Sequence, residues 1–324
     1  MPLDRALKLV KDDLGKVESM MEMNLRSDIS LIPQVGKHVL KSGGKRFRPL
    51  LLLLSAKLCG YTGERHIVLA SALEFIHTAA LLHDDVVDHA SLRRGNQSAN
   101  SLWGDEASVL VGDFLLSRSF SLMIEDSDSK VLKILSEMSI QMTEGEAFEL
   151  MQSGDHQVTE EDNISMIGYK TAILIANACR VGAILGKVEM EMEENLTNFG
   201  WNMGIAFQLV DDTLDYTSKE VEFGKSIGKD FEEHKITLPL IYTLKKSSPE
   251  DRKKILEILG SISLEAKHLA LTIELINKYK GIDYTIEMAK SYITKAKGFL
   301  EIFEDSEEKS ALVSVADYAI EREW

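Results

Sequence analysis

The sequence contains little proline. Only five prolines occur in 324 residues, and none lies between Pro49 and Pro239. Because proline removes a backbone donor and clashes with the preceding helical turn, this long stretch can form uninterrupted helices. Apolar residues also recur at three- and four-residue spacing almost throughout, whereas strand-like alternation is nearly absent. The sequence therefore predicts an all-α protein.

Cysteine is equally scarce. Cys59 and Cys179 are the only two, and each lies in apolar surroundings without a second thiol nearby in sequence. This pattern excludes a disulfide framework and a cysteine-based zinc site, and it favours a reducing compartment. The first residues are charged where a signal peptide is apolar, and no apolar run approaches the about 20 residues of a membrane span. We therefore expect a cytoplasmic protein with no transmembrane segment.

Positive charge is in deficit, since 37 Lys and Arg stand against 52 Asp and Glu, which gives a net charge of −15. A protein that binds nucleic acid needs a basic face to displace counterions, so we expect no nucleic acid partner. The deficit does not exclude an anionic ligand, because acidic groups can hold metal ions that in turn bind phosphates. No linker rich in Pro, Gly or Ser divides the chain, and we expect one domain over residues 1–324.

The pattern Asp-Asp-x-x-Asp occurs twice, each time after an apolar helical stretch. Its members are Asp84, Asp85 and Asp88 in LLHDDVVD, and Asp211, Asp212 and Asp215 in QLVDDTLD. Positions i and i+4 of a helix lie one turn apart, so each motif pairs two carboxylates that repel unless a cation compensates them. Such hard oxygen ligands suit Mg²⁺. Chance would produce roughly 0.1 matches, so two matches favour metal sites over solvated acidic faces.

Cationic residues stand where a phosphate ligand would need them. The segment SGGKRFRP carries Lys45, Arg46 and Arg48 directly after two glycines, and SLRRG places Arg93 and Arg94 just beyond the first acidic motif. Glycine lets the backbone approach a ligand, and the planar Arg fork binds phosphate oxygens through two hydrogen bonds. A single basic cluster is more often a surface patch. Together with the acidic motifs, these clusters predict a diphosphate site.

Other polar residues near the motifs are weaker candidates. His77 lies two helical turns before Asp84 and so faces nearly the same direction, but a lone histidine in an apolar helix is as often a core residue. Lys235 fits a partly buried surface lysine equally well. Five residues next to the later motifs complete the candidate set: Lys170, Thr171, Gln208, Lys225 and Lys235.

The ordered segments GGKRFRP, FIHTAALLHDDVVD, RRG, GYKTA, FQLVDDTLDY and GKDFEEHKITLPLI resemble the trans-prenyltransferase, or polyprenyl synthetase, family over about residues 35–245. The resemblance implies an all-α isoprenoid synthase fold, in which an antiparallel helix bundle surrounds a deep cavity, and a homodimer. It also implies a Mg²⁺-dependent prenyltransferase that joins isopentenyl diphosphate to an allylic prenyl diphosphate, with three Mg²⁺ ions in each active site.

The resemblance also implies a role for each candidate residue. Three aspartates would hold Mg²⁺, namely Asp84, Asp88 and Asp211. Three others would support them, namely Asp85, Asp212 and Asp215. Isopentenyl diphosphate would be bound by Lys45, Arg48, His77 and Arg94. The allylic diphosphate would be bound by Arg93, Lys170, Thr171, Gln208, Lys225 and Lys235. The six aspartates, with Lys170 and Lys225, would form the catalytic set.

Residues upstream of the first motif bear on product length. Four of them occupy one side of the helix along which the product would grow: Ala72, Ile76, Ala79 and Ala80. In the resembled family a bulky aromatic four or five places before the first aspartate shortens the product, so two alanines leave the channel open. Gly145-Glu146 also resembles the long-chain synthases. We therefore expect extension of farnesyl or geranylgeranyl diphosphate to an octaprenyl-like product.

Several alternatives stay open. A large residue from another helix, such as Phe114, Met138 or Met142, could close the cavity early, as in a short-chain geranylgeranyl or farnesyl diphosphate synthase. A non-catalytic subunit of a heteromeric synthase tends to lose aspartates or basic residues, which are all present here. A terpene cyclase usually replaces the second motif, and a di-iron helical protein needs Glu-x-x-His pairs, which are not evident.

Overall fold

The computed structural model describes residues 2–41, 46–93, 95–217, 228–261 and 265–321. Within these ranges the chain forms seventeen α-helices, one π-helical turn and a single two-stranded hairpin. The expected all-α class is therefore confirmed. Three predicted site residues lie outside the described residues: Lys45, Arg94 and Lys225.

The helices of the first half are α1 (Pro2–Leu9), α2 (Lys11–Asn24), α3 (Leu31–Lys41), α4 (Phe47–Leu58), α5 (Arg65–Val87), α6 (Ala99–Trp103), α7 (Asp105–Asp126) and α8 (Ser129–Gln152). The short strands β1 (Leu92–Arg93) and β2 (Asn96–Gln97) pair antiparallel between α5 and α6. The second half contains α9 (Glu160–Ile167), the π turn (Gly168–Ala172), α10 (Ile173–Gly186), α11 (Met190–Thr217), α12 (Lys229–Glu232), α13 (Leu238–Lys246), α14 (Pro249–Leu259), α15 (Ala266–Lys278), α16 (Gly281–Gly298) and α17 (Glu307–Glu321).

Local sequence signals explain where several helices begin. The Asp128 side chain accepts hydrogen bonds from two backbone N–H groups in the first turn of α8. Thr159 and Asp162 form a reciprocal capping box at the start of α9. Pro239 and Pro249 stand in the first turns of α13 and α14, where the missing N–H costs nothing. The helix starts therefore follow from groups that the sequence itself supplies.

The main core is built around α4, α5 and α10. The five leucines from Leu50 to Leu54 in α4 are completely buried, and α5 packs against α2, α4 and α7. Helix α10 packs against α4, α8 and α11. Fully burying a leucine contributes about 1.5–3 kcal/mol, so these apolar helices supply much of the free energy of folding. Helices that are apolar on several sides can bury those sides only at the centre of a bundle.

A second, smaller apolar cluster lies among the helices α12 to α15. It includes Phe231, Leu240, Ile255 and Ile276. Tyr216, near the end of α11, belongs to this cluster, whereas earlier residues of α11 belong to the main core. The long helix α11 therefore contributes to both clusters. The expectation of one domain over the whole chain stays a prediction.

Helices α5 and α7 are long and apolar enough, by length and composition, to cross a membrane. The most apolar stretch of α5 is 78% buried inside the protein, so α5 is a core helix. The corresponding stretch of α7 is only 44% buried, and α7 exposes 63% of Leu110 and 62% of Ile124. The outer face of α7 thus exposes large apolar side chains among polar ones such as Asp113 and Ser117.

Candidate functional site

The first acidic motif lies at the C-terminal end of α5. The helix ends at Val87, and the Asp88 N–H donates to the Asp84 carbonyl at 2.8 Å. The β1–β2 hairpin then folds back, so that Arg93 Nε donates to the Asp85 carboxylate at 2.6 Å. Asn100 Nδ2, on α6, donates to the Asp85 carbonyl at 3.0 Å. The hairpin and α6 therefore hold this end of α5 in place.

Asp84 lies in an electrostatically unfavourable place for a carboxylate. Burial raises its pKa to about 7, and the negative charges of Glu146 and Asp88 act in the same direction. The positive charges of Lys170 and Arg93 oppose this rise only in part. Because burial disfavours the ionised form, this carboxylate holds its proton well above the pH at which an exposed aspartate would lose it.

The second acidic motif lies near the end of α11. Asp212 is 4% exposed, and the Gln208 side-chain amide donates to it at 2.8 Å. The hydroxyl of Thr171, from the π turn, donates to the other end of the same amide at 3.0 Å. Burial, with the charge of Asp230, raises the pKa of Asp212 well above its ordinary value. Thr171 and Gln208 are therefore together, as the sequence predicts, and both orient Asp212.

Asp215 holds the next element of the chain. Its two carboxylate oxygens accept hydrogen bonds from the backbone N–H groups of Lys229 and Asp230, each at 3.0 Å. Its carbonyl accepts from the Gly228 N–H at 3.0 Å. Asp215 thus accepts hydrogen bonds from N–H groups at the start of α12 that have no acceptor within the helix, and it fixes that helix to the end of α11.

Two half-buried lysines lie among the carboxylates near the two acidic motifs. Lys235 Nζ lies 3.0 Å from both Asp88 oxygens, 2.9 Å from Glu233 and 3.7 Å from Glu149. Lys170 Nζ lies 2.8 Å from Glu146 and also contacts Glu149. Burial alone would lower the pKa of either ammonium group, but the surrounding carboxylates outweigh burial and raise it. Both lysines therefore stay charged at neutral pH.

The π turn carries Lys170 to these carboxylates. Lys170 and Thr171 lie in the π-helical turn between α9 and α10. A Cβ at Gly145 would lie 2.8 Å from the Tyr169 Cβ and 3.1 Å from the Lys170 backbone nitrogen. Only glycine lets α8 approach the turn so closely, and this approach brings Glu146 to the lysine. Single π turns often occur at functional sites.

The two acidic motifs share one cleft. Lys235 follows the second motif in sequence, yet its ammonium binds Asp88 of the first motif. The backbone N–H of Lys229 donates to Asp215, and the positive charge of the Lys229 side chain acts on Asp85. Burial raises the pKa of Asp85 even so. These contacts join the end of α5 to the segment after α11. The arrangement can hold a doubly charged anion together with its cations.

The remaining predicted residues divide into two groups. Arg48 stands in the first turn of α4 and is half-buried, and His77 is 8% exposed on α5. The upstream residues Ala72, Ile76 and Ala79 are buried within the core, and Ala80 is half-buried. Met138 is fully buried on α8, and Phe114 and Met142 are half-buried. A side chain from another helix is therefore available to limit the cavity.

Sequence reasoning missed several polar residues of the cleft. Glu149 and Glu233 bind the two lysines, Asp230 acts on Asp212, and Asn100 holds the end of α5. The one available signal was the alternation of acidic and basic residues in GKDFEEHK, where Lys229 and Glu233 stand one turn apart. Nothing in the sequence pattern indicated which lysine each glutamate binds.

The carboxylates fit a divalent cation. The raised pKa values of Asp84 and Asp212 indicate excess negative charge in a partly dry place, which a cation would neutralise. Among the described residues no group of three or more His, Cys, Asp or Glu side chains is close enough to hold one ion. Mg²⁺ typically accepts one or two carboxylates and completes its shell with water and phosphate oxygens.

Comparisons with known proteins show which family the chain resembles. Residues 29–276 match the family model described as polyprenyl synthetase. The chain is 37% identical to octaprenyl diphosphate synthase of Escherichia coli, over 100% of both chains. It is 36% identical to a short chain isoprenyl diphosphate synthase of Methanothermobacter thermautotrophicus, over 97% of this chain and 99% of that protein. A solved polyprenyl synthase from Caulobacter crescentus, complexed with calcium and isoprenyl diphosphate, superposes with a TM-score of 0.96 at 39% identity, covering 99% of this chain and 98% of that one.

The raised pKa of Asp84 predicts how pH changes the stability of the metal-free protein. Between the ordinary pKa of 3.8 and the raised value of about 7, the folded state binds this proton more tightly than the unfolded state. The free energy of unfolding should therefore fall as pH rises through this interval. The Asp84→Asn variant should not show this loss, so its free energy of unfolding should rise by about 1–2 kcal/mol relative to wild type between about pH 4 and pH 7. Urea unfolding of both proteins with a chelator present measures this difference.

The exposed Asp28 offers a matched control for that experiment. Asp28→Asn makes the same chemical change at an exposed position and is measured alongside. A difference between Asp84→Asn and wild type that does not change with pH would contradict the raised pKa of Asp84.

Proposed function

The chain belongs to the polyprenyl synthetase family and is a prenyltransferase, and from this premise we propose that it makes an all-trans, octaprenyl-like polyprenyl diphosphate. It would condense isopentenyl diphosphate with farnesyl or geranylgeranyl diphosphate. The observation that supports this most is the contact of Lys235 with Asp88 at 3.0 Å, because it joins the first acidic motif to the segment that follows the second. The full-length relatives support the same activity.

We propose that Asp84, Asp88 and Asp211 hold Mg²⁺, with three ions in each active site. The calcium in the related Caulobacter crescentus structure supports a divalent cation. Once bound, the ions would supply Lewis-acid stabilisation of the negative charge on the departing diphosphate. Asp85 and Asp212 would support the ligands through their hydrogen bonds to Arg93 and Gln208.

The cationic side chains would hold the allylic diphosphate. Lys170 and Lys235 are half-buried and charged, and their partners in the structure are carboxylates. With substrate present, their N–H groups and that of Arg93 would donate to phosphate oxygens. Because these donors are already fixed in a partly dry cleft, they stabilise the charge that develops in the transition state without costly reorganisation. Lys225 is assigned to the same role by resemblance alone.

The reaction would begin when the allylic C–O bond breaks and its electron pair passes to the diphosphate. The double bond of isopentenyl diphosphate would then attack the allylic cation and form the new C–C bond. The resulting cation would lose a proton to the departed diphosphate, which restores a double bond in a product one isoprene unit longer. Apolar walls contributed by α5, including Ile76 and Ala79, would keep water from the cation.

A short-chain synthase is the second candidate function. The Methanothermobacter thermautotrophicus relative favours it, because its identity to this chain is nearly the same as that of the octaprenyl enzyme. Met138 and Phe114 are placed on helices that could limit the cavity. We retain the octaprenyl-like product because Ala79 and Ala80 stand where the family uses an aromatic residue to stop growth.

We further propose that the protein is a cytoplasmic homodimer. Leu110 and Ile124 lie four turns apart on one face of α7 and are 63% and 62% exposed. Large apolar side chains exposed among polar ones, such as Asp113 and Ser117, are compatible with an interaction surface. A second copy of the chain would cover it.

The first prediction from this proposal concerns activity. Purified protein with Mg²⁺, labelled isopentenyl diphosphate and farnesyl diphosphate should form products longer than geranylgeranyl diphosphate, as sized by chromatography. Asp84→Ala and Asp211→Ala should each lower turnover by about 10²–10³-fold or more, because the leaving group loses its charge stabilisation. Circular dichroism should show unchanged helicity.

Asp28→Ala, at an exposed position, is the control and should keep full turnover. Wild-type product that stops at farnesyl or geranylgeranyl diphosphate would refute the long-chain assignment. Undiminished turnover in both aspartate variants would refute the metal assignment.

The second prediction concerns product length. Ala80 is half-buried four residues before Asp84, so a larger side chain there fits with less disturbance than at the buried Ala79. Ala80→Phe should shorten the main product by one or more isoprene units, because the ring would obstruct the path along α5. Ala80→Ser should leave the product unchanged. Identical product lengths for the Phe variant and wild type would show that the chain grows along another wall.

The third prediction concerns assembly. Sedimentation should find about twice the 36.2 kDa mass of one chain. Leu110→Glu should yield the single-chain mass, because a carboxylate in an apolar interface is costly to desolvate. Met190→Glu changes another exposed apolar residue, at the start of α11, and should leave the assembly intact. A wild-type monomer, or a dimer unaffected by Leu110→Glu, would contradict the proposed interface.

A further inference from the structure

Arg46 lies between two residues assigned to the isopentenyl diphosphate site, yet its own side chain binds protein groups. Its guanidinium donates to the Leu40 carbonyl at 2.9 Å and to the Glu74 carboxylate at 3.2 Å. Its Nε lies 3.7 Å from Glu18. These partners belong to α3, α5 and α2. One guanidinium therefore fixes three helices relative to the start of α4.

The backbone of Arg46 is in an unusual conformation. Its φ of 47° and ψ of 47° are left-handed, a region that residues with a Cβ rarely adopt. Its carbonyl accepts the Leu50 N–H at 2.8 Å, which is the bond that opens α4. Surrounding contacts have to maintain such a conformation. The side-chain contacts of Arg46 thus determine where α4 begins, and Arg48 lies in the first turn of that helix.

Glu74 is the most buried partner of Arg46. It is 6% exposed on α5 and lies one turn before His77. Its Oε1 accepts from Arg46, whereas Oε2 is buried and accepts no hydrogen bond from any residue that the structure describes. A buried carboxylate with one partner depends on that partner for compensation of its charge. Glu74 and Arg46 therefore form a directed contact between α5 and the start of α4.

We propose that Glu74 is a positioning residue for isopentenyl diphosphate, acting through Arg46. The pair would hold Arg48 on α4 and His77 on α5 at a fixed separation, so that both can bind the same diphosphate. This inference rests on the proposed function and on the family resemblance that assigns Arg48 and His77 to that substrate. It gives Arg46, the middle basic residue of the segment, a role that does not require contact with the ligand.

The test separates the two substrates. Glu74→Gln should raise the KM for isopentenyl diphosphate about tenfold, because the donors lose their fixed geometry, and should leave the KM for farnesyl diphosphate and kcat within about twofold. Titration calorimetry of isopentenyl diphosphate alone, without metal or allylic substrate, should show a similar loss of affinity. Glu18→Gln removes the exposed, more distant partner of Arg46 and should change neither quantity.

A double-mutant cycle identifies the route. If Glu74 acts through Arg46, the variant carrying both Glu74→Gln and Arg46→Gln should bind isopentenyl diphosphate no more weakly than the weaker single variant. Additive losses would overturn the inference, as would equal increases in both KM values or an unchanged KM for isopentenyl diphosphate. Should Glu74→Gln fail to fold, Arg46→Lys is the second variant, because it keeps the positive charge but loses the planar guanidinium. It should show the same rise in the KM for isopentenyl diphosphate alone. A wild-type protein without synthase activity would instead refute the proposed function.

Discussion

The structure depends on negative charge concentrated in one partly dry cleft and on the half-buried cations that compensate it. Burial and neighbouring carboxylates raise the pKa of Asp84 and Asp212, which shows that each carboxylate is costly to ionise where it lies. Lys170 and Lys235 offset part of this cost through Glu146, Glu149 and Asp88. A diphosphate with divalent cations would bring both signs of charge at once. The cleft could then exchange carboxylate–lysine pairs for carboxylate–cation and lysine–phosphate pairs without leaving a charge uncompensated.

Backbone geometry makes this charge arrangement possible. The close approach at Gly145 and the π turn bring Lys170 to the glutamates of α8. The Asp215 carboxylate fixes the start of α12, and Lys235 follows shortly after that helix. Arg46 does the same for the start of α4. In each case a polar or glycine position controls a backbone, and that backbone in turn positions a charged side chain.

The sequence predicted what depends on local pattern. The scarcity of proline and the three- and four-residue spacing predicted the all-α class, which is confirmed, and the repeated aspartate motif indicated the two helix ends that meet. Lys235 was a weak candidate from sequence, because its contact with Asp88 joins residues distant in the chain. Glu149 was missed because its partners come from the π turn and from the segment after α11. Spacing along a helix carries no information about contacts that only tertiary packing creates.

The same distinction applies to product length. Ala72, Ile76 and Ala79 are on α5, the helix that carries the first motif, so their positions relative to Asp84 follow from helix geometry. The opposite limit of the cavity would come from other helices, such as α7 and α8 with Phe114 and Met138. Relatives named for an octaprenyl and for a short chain product are 37% and 36% identical to this chain. Overall identity therefore does not determine length. Product length would instead be determined by a few side chains that face α5 across the cavity, because a growing apolar chain stops where it meets the first bulky group that cannot move aside.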